Sequence, residues 1–61
     1  MLYVIQDRQT GLYVGEDACL CSLENAIFHK TIKEAKRKHG FDIMIEIILS
    51  VEINIIEEVV A

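Results

Sequence analysis

The chain has no proline and no tryptophan, and carries only three glycines, two cysteines, two tyrosines and two phenylalanines in 61 residues. Each scarcity excludes something. Three scattered glycines form no Gly-rich loop to cradle a phosphate. So few aromatics, none interleaved with the basic residues, offer no platform on which bases could stack. The apolar stretch Met1–Ile5 has no basic lead and is too short for a secretion signal. Cys19 and Cys21 are therefore expected as reduced thiols in the cytoplasm, packed as small hydrophobes. No long uninterrupted apolar run exists either. Asp42, Glu46, Ser50, Glu52 and Asn54 break the C-terminal third, so no membrane span is expected.

What is present is apolar for so small a body. Hydrophobic residues make up 52% and charged residues 26%, with a net charge of -4. That balance excludes disorder and opposes general affinity for nucleic acid. The length allows one domain, 1–61. A chain this short buries only about 60% of the surface its unfolded form exposes. The apolar surplus needs a cover, and a second copy is the simplest one.

Local signals give the elements. Leu2 to Gln6 reads as a strand, Asp7 to Gly11 as a turn with Gly11 free to take positive φ, and Leu12 to Gly15 as the returning strand. Tyr3 and Tyr13 are expected to face each other across this hairpin, or to form an exposed recognition pair. Cys19 to Cys21 reads as a short extended piece, and Ser22 as the cap of a helical turn over Leu23 to Ile27. Thr31-Ile32-Lys33-Glu34 is a capping box opening a helix from Ile32 to His39, which Gly40 ends. Ile32, Ala35 and His39 share one face of that helix.

From Phe41 onward every odd position is apolar over eight alternations: Phe41, Ile43, Ile45, Ile47, Leu49, Val51, Ile53, Ile55. A period of two held this long signals a strand. Fully extended, about fifteen residues span roughly 50 Å, whereas a chain of this size folds to roughly 25–30 Å across. Either the strand overhangs and pairs with a second subunit about a two-fold axis, or the chain bends near Ser50 into a hairpin or a short helix. The first alternative assigns self-association to Ile43, Ile45, Ile47, Leu49, Val51, Ile53 and Ile55. The fold expected is α+β, of the order ββαβ: a small antiparallel sheet, made of the N-terminal hairpin plus the long C-terminal strand, packed against one short helix.

Tyr3-Val4-Ile5, Thr10-Gly11-Leu12-Tyr13-Val14, Ala26, Phe28, Thr31, Glu34 and Ala35 follow an order of elements that resembles small phage- and prophage-encoded proteins. The resemblance covers residues 1 to about 45, and the isoleucine-rich acidic tail departs from it. It implies a role of the kind some such proteins have, inhibiting a host enzyme or defence protein by binding it in the host cytoplasm.

Chemistry-bearing residues are sparse. Cys19, Cys21, His29 and His39 are the right types for zinc, but the Cys-x-Cys spacing is not that of a usual site. No metal and no cofactor is expected, and the chain reads as non-enzymatic. Five of the six basic residues lie between Lys30 and Lys38. Lys33, Lys36, Arg37 and Lys38 are candidate contacts to nucleic acid or to a partner, although a solvated helix end with dipole-favourable charges explains them without one. The function expected is a protein-interaction module forming a homodimer or higher homo-oligomer, with a host protein as a further partner. The alternative is a nucleic-acid-binding module using the basic helix 30–38.

Overall fold

The computed structural model describes residues 1–52 and 55–60. Its elements are β1 (Leu2–Asp7), β2 (Tyr13–Val14), β3 (Leu20–Cys21), α1 (Ile32–His39), β4 (Glu46–Glu52) and β5 (Ile55–Val60). The class is α+β, with one antiparallel five-stranded sheet in the order β3-β2-β1-β4-β5 and one helix. β3 and β5 are additional to the ββαβ pattern expected from the sequence.

The first hairpin forms because Asp7 organises its turn. Its Oδ2 accepts from the Thr10 backbone N–H and from the Thr10 hydroxyl, both at 2.8 Å. These bonds, the backbone one first, hold the Asp7 carboxyl below its ordinary pKa. Gly11 then takes φ 77, which a β-carbon would resist. The expected Tyr3–Tyr13 pair does not form. The register opposes Gln6 to Tyr13, so the two tyrosines lie on opposite faces, and Tyr3 instead bridges His29. Between β3 and the helix, Leu23–Asn25 is a single 3₁₀ turn without a side-chain cap from Ser22.

Helix α1 has the bounds that its sequence signals give. Thr31 Oγ1 accepts from the Glu34 N–H at 3.0 Å, and Gly40 sits in the left-handed region at φ 72. Ala35 is fully buried and packs with Ile5, Val14 and Ile48, flanked by Tyr3, Ile32 and Phe41. This cluster is the core, and it fixes which side of the sheet the helix covers.

The long periodic run does not become one strand. Asp42 breaks it at the front: its Oδ1 accepts from the Met44 N–H at 2.9 Å, and its carbonyl accepts from Ile45 and Glu46. Arg8 pins the turn from β1, donating from Nε to the carbonyls of Ile43 (3.0 Å) and Glu46 (3.1 Å). Ile43 and Ile45 thus lie in a turn, 45% and 56% exposed. At the other end β4 stops at Glu52 and β5 returns antiparallel to it, with Ser50 opposite Glu57 and Val51 opposite Ile56. Of the two alternatives for the tail, the bend into a hairpin is the one adopted, and the body measures 24 × 22 × 20 Å. Ile53 and Asn54 lie outside the described residues.

The even positions, not the odd ones, face the helix. Ile48 is 0% exposed, and Glu46 and Ser50 are buried beside it. A glutamate can occupy that face because it is fully partnered. Its Oε2 lies 2.5 Å from His39 Nε2, and its Oε1 accepts from the Asp42 N–H at 3.1 Å.

Candidate interaction surface

Strand alternation sends Leu2, Val4 and Gln6 of β1 to the side away from the helix, together with Ile47, Leu49 and Val51 of β4. The register aligns them in rows. Leu2 stands opposite Val51, which stands opposite Ile56; Val4 opposite Leu49, which stands opposite Glu58; and Tyr13 opposite Gln6, which stands opposite Ile47. Six of these nine positions are aliphatic. No helix packs on this side, because the only helix of the described residues is committed to the core. The centre of the face is nonetheless dry. Val4 is 0% and Leu49 7% exposed. Around them Leu2 and Ile56 are 42% and 44% exposed, and Ile47 and Val51 are half-buried. The arrangement is an apolar plateau with accessible corners and one carboxylate, that of Glu58.

The seven residues expected to mediate self-association are thus divided. Ile47, Leu49 and Val51 share the plateau. Ile43 and Ile45 lie in the turn before β4. Ile55 stands opposite Glu52 on the helix side, 51% exposed. Ile53 lies outside the described residues. Leu2, Val4 and Ile56 join the surface although no periodicity argument picked them. Their places follow from register, which one strand read alone does not reveal.

The basic helix presents Lys33, Lys36, Arg37 and Lys38 to solvent. Two of them have local partners. Lys38 Nζ is 3.2 Å from Glu34, a pairing that lowers the Glu34 pKa, and Lys36 lies 5.8 Å from the Phe41 ring centroid.

The two histidines meet at a cleft of about 470 Å³ lined by Val14, Gly15, Asp17, Ile27, Lys38 and the imidazoles themselves. His29 is buried, contrary to the exposed position suggested by its neighbour Lys30, because its backbone continues the sheet beside Tyr3. Burial lowers its pKa below 6.5, keeping the ring neutral. Asp17 and Ala18, on the rim, hold left-handed backbone at φ 55 and φ 60. Cys19 is exposed and Cys21 half-buried, so only the second behaves as the packed hydrophobe expected; its Sγ donates to the Tyr13 carbonyl at 3.5 Å. Among the described residues no group of three or more His, Cys, Asp or Glu side chains is placed to hold a metal ion. No described helix is long and apolar enough to cross a membrane.

No protein-family model, curated protein or solved structure matches the chain.

Proposed function

We propose that this protein is a non-enzymatic interaction module that self-associates, sheet against sheet, through the plateau of β1, β4 and β5. One observation carries the reading: the rows Leu2–Val51–Ile56 and Tyr13–Gln6–Ile47 lie on the side of the sheet away from the helix and leave Leu2 and Ile56 42% and 44% exposed. Face-to-face packing of two such sheets at about 10 Å removes Ile47, Val51 and Ile56 from water. One side of a 24 × 22 Å body is a small interface. It falls near the lower end of specific contacts, below about 1,200 Å² in total, so the dimer forms at micromolar and not nanomolar concentration. The resemblance to small phage proteins adds a host or defence protein as a further partner in the host cytoplasm.

Sedimentation velocity from micromolar to millimolar concentration tests the reading. The expected result is a concentration-dependent dimer, lost in Ile47→Lys with the fold retained by circular dichroism. A monomer at every concentration removes self-association from the proposal. The second reading, a nucleic-acid-binding module, draws on the exposed Lys33, Lys36, Arg37 and Lys38. A gel shift that weakens with salt supports it, and no shift at low salt removes it.

A further inference from the structure

β5 ends the five-stranded sheet. Its outer edge has no neighbouring strand among the described residues, and the N–H and C=O groups of such an edge can continue onto another extended chain. The opposite end of the sheet is β3, only two residues long. The long edge is therefore β5, with six residues, Ile55–Val60. Between Ile48 and Leu49 the β4–β5 register shifts, so that Val59 is the extra residue of a bulge. The regular part of the edge is then Ile55 to Glu58.

The side chains along that run select the occupant. Ile55 and Ile56 are 51% and 44% exposed. Glu57 stands opposite Ser50 on the helix side, and Glu58 opposite Leu49 on the plateau side. Each side of the edge thus carries one carboxylate, and neither forms an ion pair among the described residues. A second copy of β5, added antiparallel to the same edge, opposes only residues of the same side, so a pairing centred on Glu57 sets Glu57 opposite its own copy and one centred on Glu58 does the same for Glu58. Like charges placed directly opposite destabilise a strand pair, and the net charge of -4 adds to the repulsion.

We propose that the β5 edge receives an extended segment of a different protein, one with two consecutive basic residues flanked by β-branched apolar ones. Neighbouring residues of a strand point to opposite faces, so a Lys-Lys pair supplies one cation to each side, against Glu57 and Glu58. The flanking apolar side chains cover Ile55 and Ile56. The same two carboxylates that oppose the second-copy pairings centred on them favour this partner, so specificity draws on a repulsive element as well as an attractive one. The edge shares Ile56 and Glu58 with the plateau but adds the outer backbone of β5 and the helix-side Ile55 and Glu57, which the plateau does not use.

The experiment titrates the isotope-labelled full chain with two capped peptides, Thr-Val-Lys-Lys-Val-Thr and Thr-Val-Glu-Glu-Val-Thr, following backbone amide shifts. The lysine peptide is expected to shift the amides of residues 55–58 and to bind at least about tenfold more tightly than the glutamate peptide. Raising salt narrows the difference. On the chain carrying Glu57→Lys and Glu58→Lys, substitutions at exposed positions that leave the core intact, the preference inverts. Equal binding of both peptides, lysine-peptide shifts confined to the plateau or the helix, no shift at millimolar peptide, or an uninverted preference in the variant each overturns the proposal. Sedimentation of the Glu57→Gln chain, whose substitution lies off the plateau, supplies a second check. Relief of the repulsion is expected to increase self-association relative to the parent chain, and an unchanged sedimentation profile contradicts the selective role given to the carboxylates.

Discussion

Ile47 and Ile48 are adjacent, chemically identical and on opposite faces of β4, so truncating each in turn isolates the face assignment. Ile48 is 0% exposed and packs with Ile5, Val14 and Ala35. Cutting it to alanine removes three carbons from a closed core, a change that costs about 2–5 kcal/mol. A domain of this length is expected to have only about 3–9 kcal/mol of stability in all. Each kcal/mol lowers Tm by about 4–8 °C, so Ile48→Ala is expected to melt at least about 10 °C below the parent chain or not to fold. Ile48→Val, costing about 0.5–1.5 kcal/mol, keeps the measurement possible in the second case. Ile47, half-buried on the face away from the helix, leaves no closed cavity when truncated. Ile47→Ala is expected to cost about 1 kcal/mol or less in dilute solution, by the area rule for a partly exposed side chain. Urea unfolding at submicromolar protein, below the range proposed for the dimer, provides the comparison. A midpoint for Ile47→Ala as low as that for Ile48→Ala would refute the assignment of odd positions to the uncovered face, and the proposed dimer surface with it.

Three other perturbations address the supports of the fold. Thr31→Ala removes the side-chain cap on Glu34 N–H and is expected to cost about 0.5–2 kcal/mol, read from urea midpoints, with Thr31→Ser close to the parent. His39→Ala leaves the buried Glu46 carboxylate with only the Asp42 backbone N–H as a hydrogen-bond donor. A loss of about 3–5 kcal/mol is expected, and Glu46→Gln in the same background is expected to recover part of it by removing the buried charge. His29 sets a pH dependence. Its folded pKa lies below 6.5, so the unfolded chain takes up the proton first; its stabilisation is complete above about 6.5 and declines as pH falls. The lowered carboxyls of Asp7 and Glu34 act in the same direction but in a more acidic window, below about 4 to 4.5. His29→Gln is therefore expected to flatten the decline in stability that begins below about pH 6.5 and leave the acid limb intact.

What the sequence discloses here depends on the range of the forces involved. Helix α1 is legible to the residue, because Thr31, Glu34 and Gly40 act within one turn of where they stand. The hairpin turn is legible for the same reason, through Asp7, Thr10 and Gly11. The pairing inside the hairpin is not. Tyr13 reaches Gln6 and not Tyr3, because register depends on how many residues the turn consumes, and Tyr3 is taken by a backbone bridge from His29, distant in sequence. The basic segment is visible as a cluster, but the Glu34 and Phe41 contacts that occupy Lys38 and Lys36 only partly so. Most instructive is the periodic tail. Its alternation is correct over β4 and misleading before it, because Asp42 accepts from the Met44 N–H and Arg8 draws the carbonyls of Ile43 and Glu46 towards β1. Periodicity counts side chains, whereas these bonds are made by the backbone.

The burial of Glu46 shows why the face assignment cannot be taken from hydropathy alone. By polarity the set Glu46, Ile48, Ser50, Glu52 belongs in water, and the set Ile47, Leu49, Val51 in the core. The chain turns Glu46, Ile48 and Ser50 to the helix side and leaves only Glu52 exposed, at tolerable cost because His39, at the end of α1, and the Asp42 amide between them satisfy both oxygens of Glu46. The exchange leaves the more apolar set on the side the helix does not cover. A sheet that needed only to fold would gain by presenting Ile47, Leu49 and Val51 to the helix and Glu46 to solvent, since a buried carboxylate, even a hydrogen-bonded one, adds little over an apolar replacement. Retaining the costlier arrangement is understandable when the uncovered side has work of its own, and an apolar plateau with a dry centre is what a second protein surface requires.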